Sequence, residues 1–141
     1  MSDARLALTL QNQRSEVARL TAAVDHFSRE TGISDEDLHN IHLILDELVI
    51  NVIKYAFRDS GPHTIEVTLA LSGPRLTMTV EDDGESFDPT AHPEPDLEVP
   101  IEERPIGGLG IHIVRSLSDS VTYRRHGRRN TLTVVRTVTR S

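Results

Sequence analysis

The sequence predicts an α+β fold: a two-layer α/β sandwich with a mixed, mostly antiparallel sheet and helices on one face. Three observations predict it. Apolar residues recur at helical spacing over residues 17–27 and 38–52, and then at every second position over 65–80. A short helical stretch and a hairpin pattern follow, an order that suits helices packed on one side of a sheet. With 141 residues, 37% hydrophobic and 26% charged, the chain can bury a core of its own. No repeat or low-complexity tract divides it, so residues 1–141 are expected to form a single domain.

The elements follow in order. Leu6, Leu8 and Leu10 alternate and predict a first strand. Val17, Leu20, Val24 and Phe27 lie on one helical stripe, and Gly32 is positioned to stop that helix. Ser34, with Asp37 three residues on, reads as the cap of a long helix whose stripe is Leu38, Ile41, Leu45, Leu48 and Val52. Ile65, Val67, Leu69 and Leu71 predict a strand, and the turn Ser72-Gly73-Pro74 leads to Leu76, Met78 and Val80. From Asp82 to about Ile106 no period survives and five prolines intervene, a length that marks functional or disordered loops. Leu109, Ile113, Val114 and Leu117 predict a short helix, and a hairpin around Gly127 pairs Val121–Tyr123 with Leu132–Val134.

Composition narrows the function. The absence of cysteine excludes disulfides and thiolate metal sites. A net charge of −7 argues against direct nucleic-acid binding. Residues 81–103 hold ten acids and no Lys or Arg, whereas 104–141 hold eight Arg and one acid. That basic part suits an acidic protein, a polyphosphate or simple solvation. No signal-like or membrane-spanning apolar run occurs, so a cytoplasmic protein without membrane attachment is expected. His39 and His42 lack the partners of a metal motif and are read as structural.

Three clusters carry chemistry. Glu47 and Asn51 share a face of the long helix, bordered by Asp46 and Lys54. An amide oxygen there can hold Mg²⁺ while the carboxylate accepts a proton, although a solvated face has the same composition. Asp82 closes a strand before Gly84, where a carboxylate can accept the amine of adenine and a glycine permits close approach; a plain Asp-Gly turn is the alternative. Gly107, Gly108, Leu109 and Gly110 open a helix whose N–H groups can hold phosphate, or form a mere hinge.

In this order, a carboxylate–amide helix, a strand-end Asp-x-Gly and a glycine-hinged helix resemble the GHKL ATPases. Within that superfamily the chain is most similar to the anti-sigma-factor serine/threonine kinases of bacterial partner-switching systems. The stretches carrying the resemblance are Glu47 to Phe57, Asp82 to Pro89, and Gly107 to Tyr123 with Asn130 and Thr131. It implies a Bergerat-type ATP-binding fold with an ATP lid at about residues 88–108. It further implies that Glu47 is the general base, that Asn51 holds Mg²⁺, and that Asp82 with Gly84 reads adenine. Lys54 and Phe87 border the nucleotide, Gly107, Gly108, Leu109 and Gly110 contact phosphate, Arg104 reaches the γ-phosphate, and Thr131 supports the adenine site. Ser86 replaces the second glycine of the family's Asp-x-Gly-x-Gly pattern.

The resemblance thus implies an ATP- and Mg²⁺-dependent protein serine/threonine kinase that is also an anti-sigma factor. Its substrate would be a STAS-domain anti-sigma-factor antagonist, its sequestered partner a sigma factor, and a serine phosphatase would act indirectly in the same pathway. A homodimer is implied too. The alternative is a non-catalytic, nucleotide-dependent module that sequesters a regulatory partner. A histidine kinase or a topoisomerase-type clamp is not expected, since each needs residues beyond this domain.

Overall fold

A computed structural model describes residues 3–57, 61–85 and 108–140. Strand β1 (Ala4–Gln11) turns Ala4 and its leucines toward the core and its other residues outward, as the alternation dictates. After a 3-10 turn at Arg14–Glu16, helix α1 (Val17–Thr31) buries Leu20, Val24 and Phe27. It ends at Gly32, whose φ of 77° is left-handed and whose N–H closes on the Ser28 carbonyl. Helix α2 (Asp35–Tyr55) starts at Ser34, whose Oγ accepts the Asp37 N–H at 3.2 Å. Three acids in its first turn favour the helix dipole.

Strands β2 (Thr64–Ser72) and β3 (Arg75–Asp82) form a hairpin; α3 (Gly108–Ser116) precedes a second hairpin, β4 (Ser120–His126) and β5 (Arg129–Thr137). The strand order is β1-β2-β3-β5-β4. Each described pairing is antiparallel, so the expectation of a mixed sheet is sharpened to an antiparallel one. Two hairpins and the antiparallel β1–β2 and β3–β5 pairs leave no parallel neighbours. All three helices pack against the sheet's inner face, where Leu45, Leu48 and Val49 of α2 join Leu69, Met78, Val80 and Val134 in one buried core.

Asp37 ties the start of α2 to the end of β5. Its carboxylate accepts Arg136 at 2.8 Å, the Thr139 N–H at 2.7 Å and hydroxyl groups of Thr139 and Ser34 at 2.9 Å each. Burial pushes the Asp37 carboxyl up, but these donors outweigh it and hold it at about 2, below its ordinary 3.8. A depressed carboxylate contributes stability that is complete above its unfolded pKa and is lost as pH falls through the folded one. The shift corresponds to about 2 kcal/mol. Asp37→Asn is therefore expected to lower stability by roughly that amount near neutral pH, and the gap to wild type should narrow below about pH 4. Urea unfolding at about pH 7 and pH 3 checks this; an equal gap at both would refute the linkage.

Candidate functional site

The inner-face alternation Leu76, Met78, Val80 continues to Asp82, so the last side chain of β3 is a carboxylate carried into the core layer. Asp82 is only 5% exposed. On the neighbouring strand β5 the same alternation brings Asn130 and Leu132 inward, with Asn130 opposite Asp82 in register. Leu48, Asn51, Val52 and Ala56 cover them from α2 and its C-terminal end, and Tyr123 closes the side. These residues line a narrow cleft that opens to solvent. Mostly apolar walls with a few convergent polar groups are the usual construction of a ligand pocket.

The polar groups are specifically arranged. Asp82 Oδ1 accepts the Gly84 N–H at 2.8 Å and Asn130 Nδ2 at 2.9 Å. Oδ2 accepts no hydrogen bond from the described residues. Burial pushes the Asp82 carboxyl up; the Asn130 and Gly84 donors oppose this, Asp83 adds to it and Arg125 lowers it. Asn51 is 7% exposed, and its amide nitrogen is buried without a hydrogen-bond partner. A buried amide left unsatisfied costs free energy unless a ligand engages it, so the pocket is chemically incomplete on the α2 side. The side-chain oxygen of the same amide is a hard ligand of the kind magnesium takes together with phosphates and waters.

The remaining predicted residues fall at varied distances from this pocket. Glu47 stands half-buried one turn before Asn51 on α2, outside the pocket lining among the described residues. Lys54 is exposed in the last turn of α2. Gly84 does not line the pocket either; a β-carbon there would lie 2.3 Å from the carbonyl oxygen of Ala56. The Glu85 N–H also donates to that carbonyl at 2.6 Å. Gly84 is thus required for the turn to press on the end of α2, a different reason from approach to a base. Gly108, Leu109 and Gly110 form the first turn of α3, the end of a helix whose dipole favours an anion. Phe87, Arg104, Gly107 and nearly all of the expected lid at 88–108 lie outside the described residues.

One assignment is corrected. Thr131 lies on the opposite face of the sheet, across from Glu81, whose carboxylate its hydroxyl approaches at 3.5 Å. Glu81 also pairs with Arg129 at 2.7 Å on that outer face. Neighbouring strand residues point to opposite faces, so the residue beside Asp82 in the pocket is Asn130. Asn130 belongs to a stretch that carries the resemblance, yet spacing alone gave it no role. The available signal was register: Asp82, last of β3, pairs with Asn130 when the hairpins are aligned.

Comparison with known proteins agrees with this geometry. The family model described as "Histidine kinase-like ATPase domain" matches residues 10–136. The chain is 31% identical over 109 residues to the "Serine-protein kinase RsbW" of Halalkalibacterium halodurans, covering 74% of this chain and 65% of that protein. It is 28% identical over 92 residues to the "Serine/threonine-protein kinase BtrW" of Bordetella bronchiseptica, covering 65% of each. The match thus spans just under two thirds of either relative's length. Among solved structures, the RsbU and RsbW domains of a Mycobacterium tuberculosis protein superpose with a TM-score of 0.69 at 20% identity. That alignment covers 97% of this chain and 32% of the other, and it shows the shared fold. No helix among the described residues is long and apolar enough to cross a membrane.

Proposed function

The chain belongs to the histidine kinase-like ATPase domain family, and on that footing we propose that it is an ATP-dependent protein serine/threonine kinase and anti-sigma factor. Its substrate is a STAS-domain antagonist, whose phosphorylation governs the release or capture of a sigma factor. The observation that carries the reading is the pocket pairing a buried, half-engaged Asp82 carboxylate with the unsatisfied amide of Asn51. The relatives named as serine-protein kinases RsbW support the substrate class.

Asp82 Oδ2 accepts the exocyclic amine of adenine between the apolar walls. Asn51 is the residue of this chain that would hold magnesium, which would offset the triphosphate charge. The first turn of α3, with Gly107 before it, offers N–H groups to the phosphates. Glu47 orients the partner's hydroxyl and takes its proton as the oxygen bonds to the γ-phosphorus. The bond to the bridging β–γ oxygen breaks and ADP leaves. Arg104 and a lid at about 88–108 close over the nucleotide, and a homodimer is the working assembly.

The test is incubation with labelled ATP and the antagonist. Phosphoserine on the antagonist supports the kinase, whereas tight ATP binding without transfer leaves the sequestration module. Asp82→Asn should weaken ATP about tenfold to a hundredfold, the loss of a charge-assisted hydrogen bond. GTP binding should change far less, because its 6-oxo group offers no donor. The raised pKa fixes the sign with pH: wild-type affinity falls as pH drops through it, because the protonated acid accepts poorly. Titration calorimetry across pH reads both, and an unchanged ATP-to-GTP ratio in the variant removes Asp82 from adenine reading.

A further inference from the structure

The side chain of Asn130 is fully committed. Its Oδ1 accepts the Tyr123 hydroxyl at 2.5 Å and the Arg125 guanidinium at 2.8 Å. Its Nδ2 donates to Asp82 Oδ1 at 2.9 Å and to the Glu85 carbonyl at 2.8 Å. Arg125 meanwhile donates to the Gly84 carbonyl at 2.9 Å, fixing it to the turn beside the pocket. A guanidinium can only donate, so the amide oxygen must face Arg125 and the NH₂ must face Asp82. The orientation of the amide is therefore dictated chemically.

The consequence falls on Asp82. Two donors, the Gly84 N–H and the Asn130 NH₂, saturate its Oδ1 and favour the carboxylate over the acid. The other oxygen is then purely an acceptor. An acceptor at the pocket wall pairs with a 6-amino purine and opposes the carbonyl of a 6-oxo purine. A buried carboxyl without such donors keeps its proton, as burial favours, and presents an O–H that suits the 6-oxo base instead.

We propose that Asn130, locked by Tyr123 and Arg125, is the positioning residue that makes this pocket select 6-amino over 6-oxo purine nucleotides. The proposal rests on the ATP-binding reading above. It assigns discrimination to the charge state and orientation of Asp82, set from β4 and β5, rather than to Asp82 alone. Arg125, exposed on the hairpin, extends the control to the protein surface.

The test compares ATP with inosine triphosphate, which carries a carbonyl at the same ring position, by calorimetry with magnesium. Asn130→Asp sets a second carboxyl against Asp82, so the pair shares a proton. Its preference for ATP should fall at least about tenfold, the scale of one charged hydrogen bond, and become steeply pH-dependent. Asn130→Ser keeps a donor toward Asp82 and should restore most of the preference. Arg125→Ala, a surface change that leaves the core intact, should reduce the preference by a smaller factor, about threefold on the same scale. A purely structural role would weaken both nucleotides equally, so an unchanged ratio in all three variants overturns the proposal while ATP binding stands. Wild type that binds neither nucleotide would remove the ATP reading itself, and this inference with it.

Discussion

Asn51→Ala is expected to abolish the increment that magnesium adds to ATP affinity and, with it, phosphoryl transfer. The wild-type amide is buried without a partner in the pocket wall, so removing it leaves a small apolar gap and no group to engage the phosphates. The expected loss is about a hundredfold with magnesium present, or about 3 kcal/mol. With a chelator in place of magnesium, the variant and wild type should bind ATP similarly. The pairwise comparison separates a metal-linked role from general disruption of the pocket, since a misfolded pocket would lose affinity in both conditions. If magnesium strengthens binding equally in both proteins, Asn51 does not hold the metal.

Glu47→Gln is expected to show the opposite pattern. Glu47 lies outside the pocket lining among the described residues, on the half-buried face one turn before Asn51, so ATP affinity should change by less than about threefold, within the range of a lost surface contact. Glutamine can still orient a hydroxyl through its amide but cannot take the proton. Transfer to the antagonist should slow by about 10²–10⁴, the usual contribution of a positioned general base. Single-turnover transfer with saturating ATP and antagonist reads this step without interference from binding. Transfer at the wild-type rate would assign the proton acceptor elsewhere and leave Glu47 a solvated helix residue.

The two predictions come from the part of the protein that its sequence expressed most directly. Glu47 and Asn51 lie four apart on a helix whose stripe and Ser34 cap were visible in the primary structure, and any α2 must put them on one side. Asp82 at a strand end was equally legible, because Leu76, Met78 and Val80 alternate directly into it. Other contacts lie beyond the reach of local reasoning. Gly84 has a backbone reason that spacing does not show: the carbonyl of Ala56, twenty-eight positions earlier, leaves no room for a β-carbon. Asp37 belongs to the helix start that its spacing from Ser34 predicts, and it also binds Arg136 and Thr139 at the far end of the chain.

The amino-acid sequence by itself therefore determined the order of helices and strands, the inward stripe of each, and the three stretches from which a nucleotide site is expected. These depend on periodicity and on neighbours within a turn of chain. Only the tertiary structure decided that Asn130 rather than Thr131 faces Asp82, that Tyr123 and Arg125 lock it, and that the Asn51 amide is left unsatisfied in the wall. The physical reason is the period of two: a one-residue shift in strand register exchanges the faces, and register is fixed by pairing with a distant strand. Hydrogen-bond satisfaction likewise belongs to the packed whole, because donors and acceptors meet there across tens of residues.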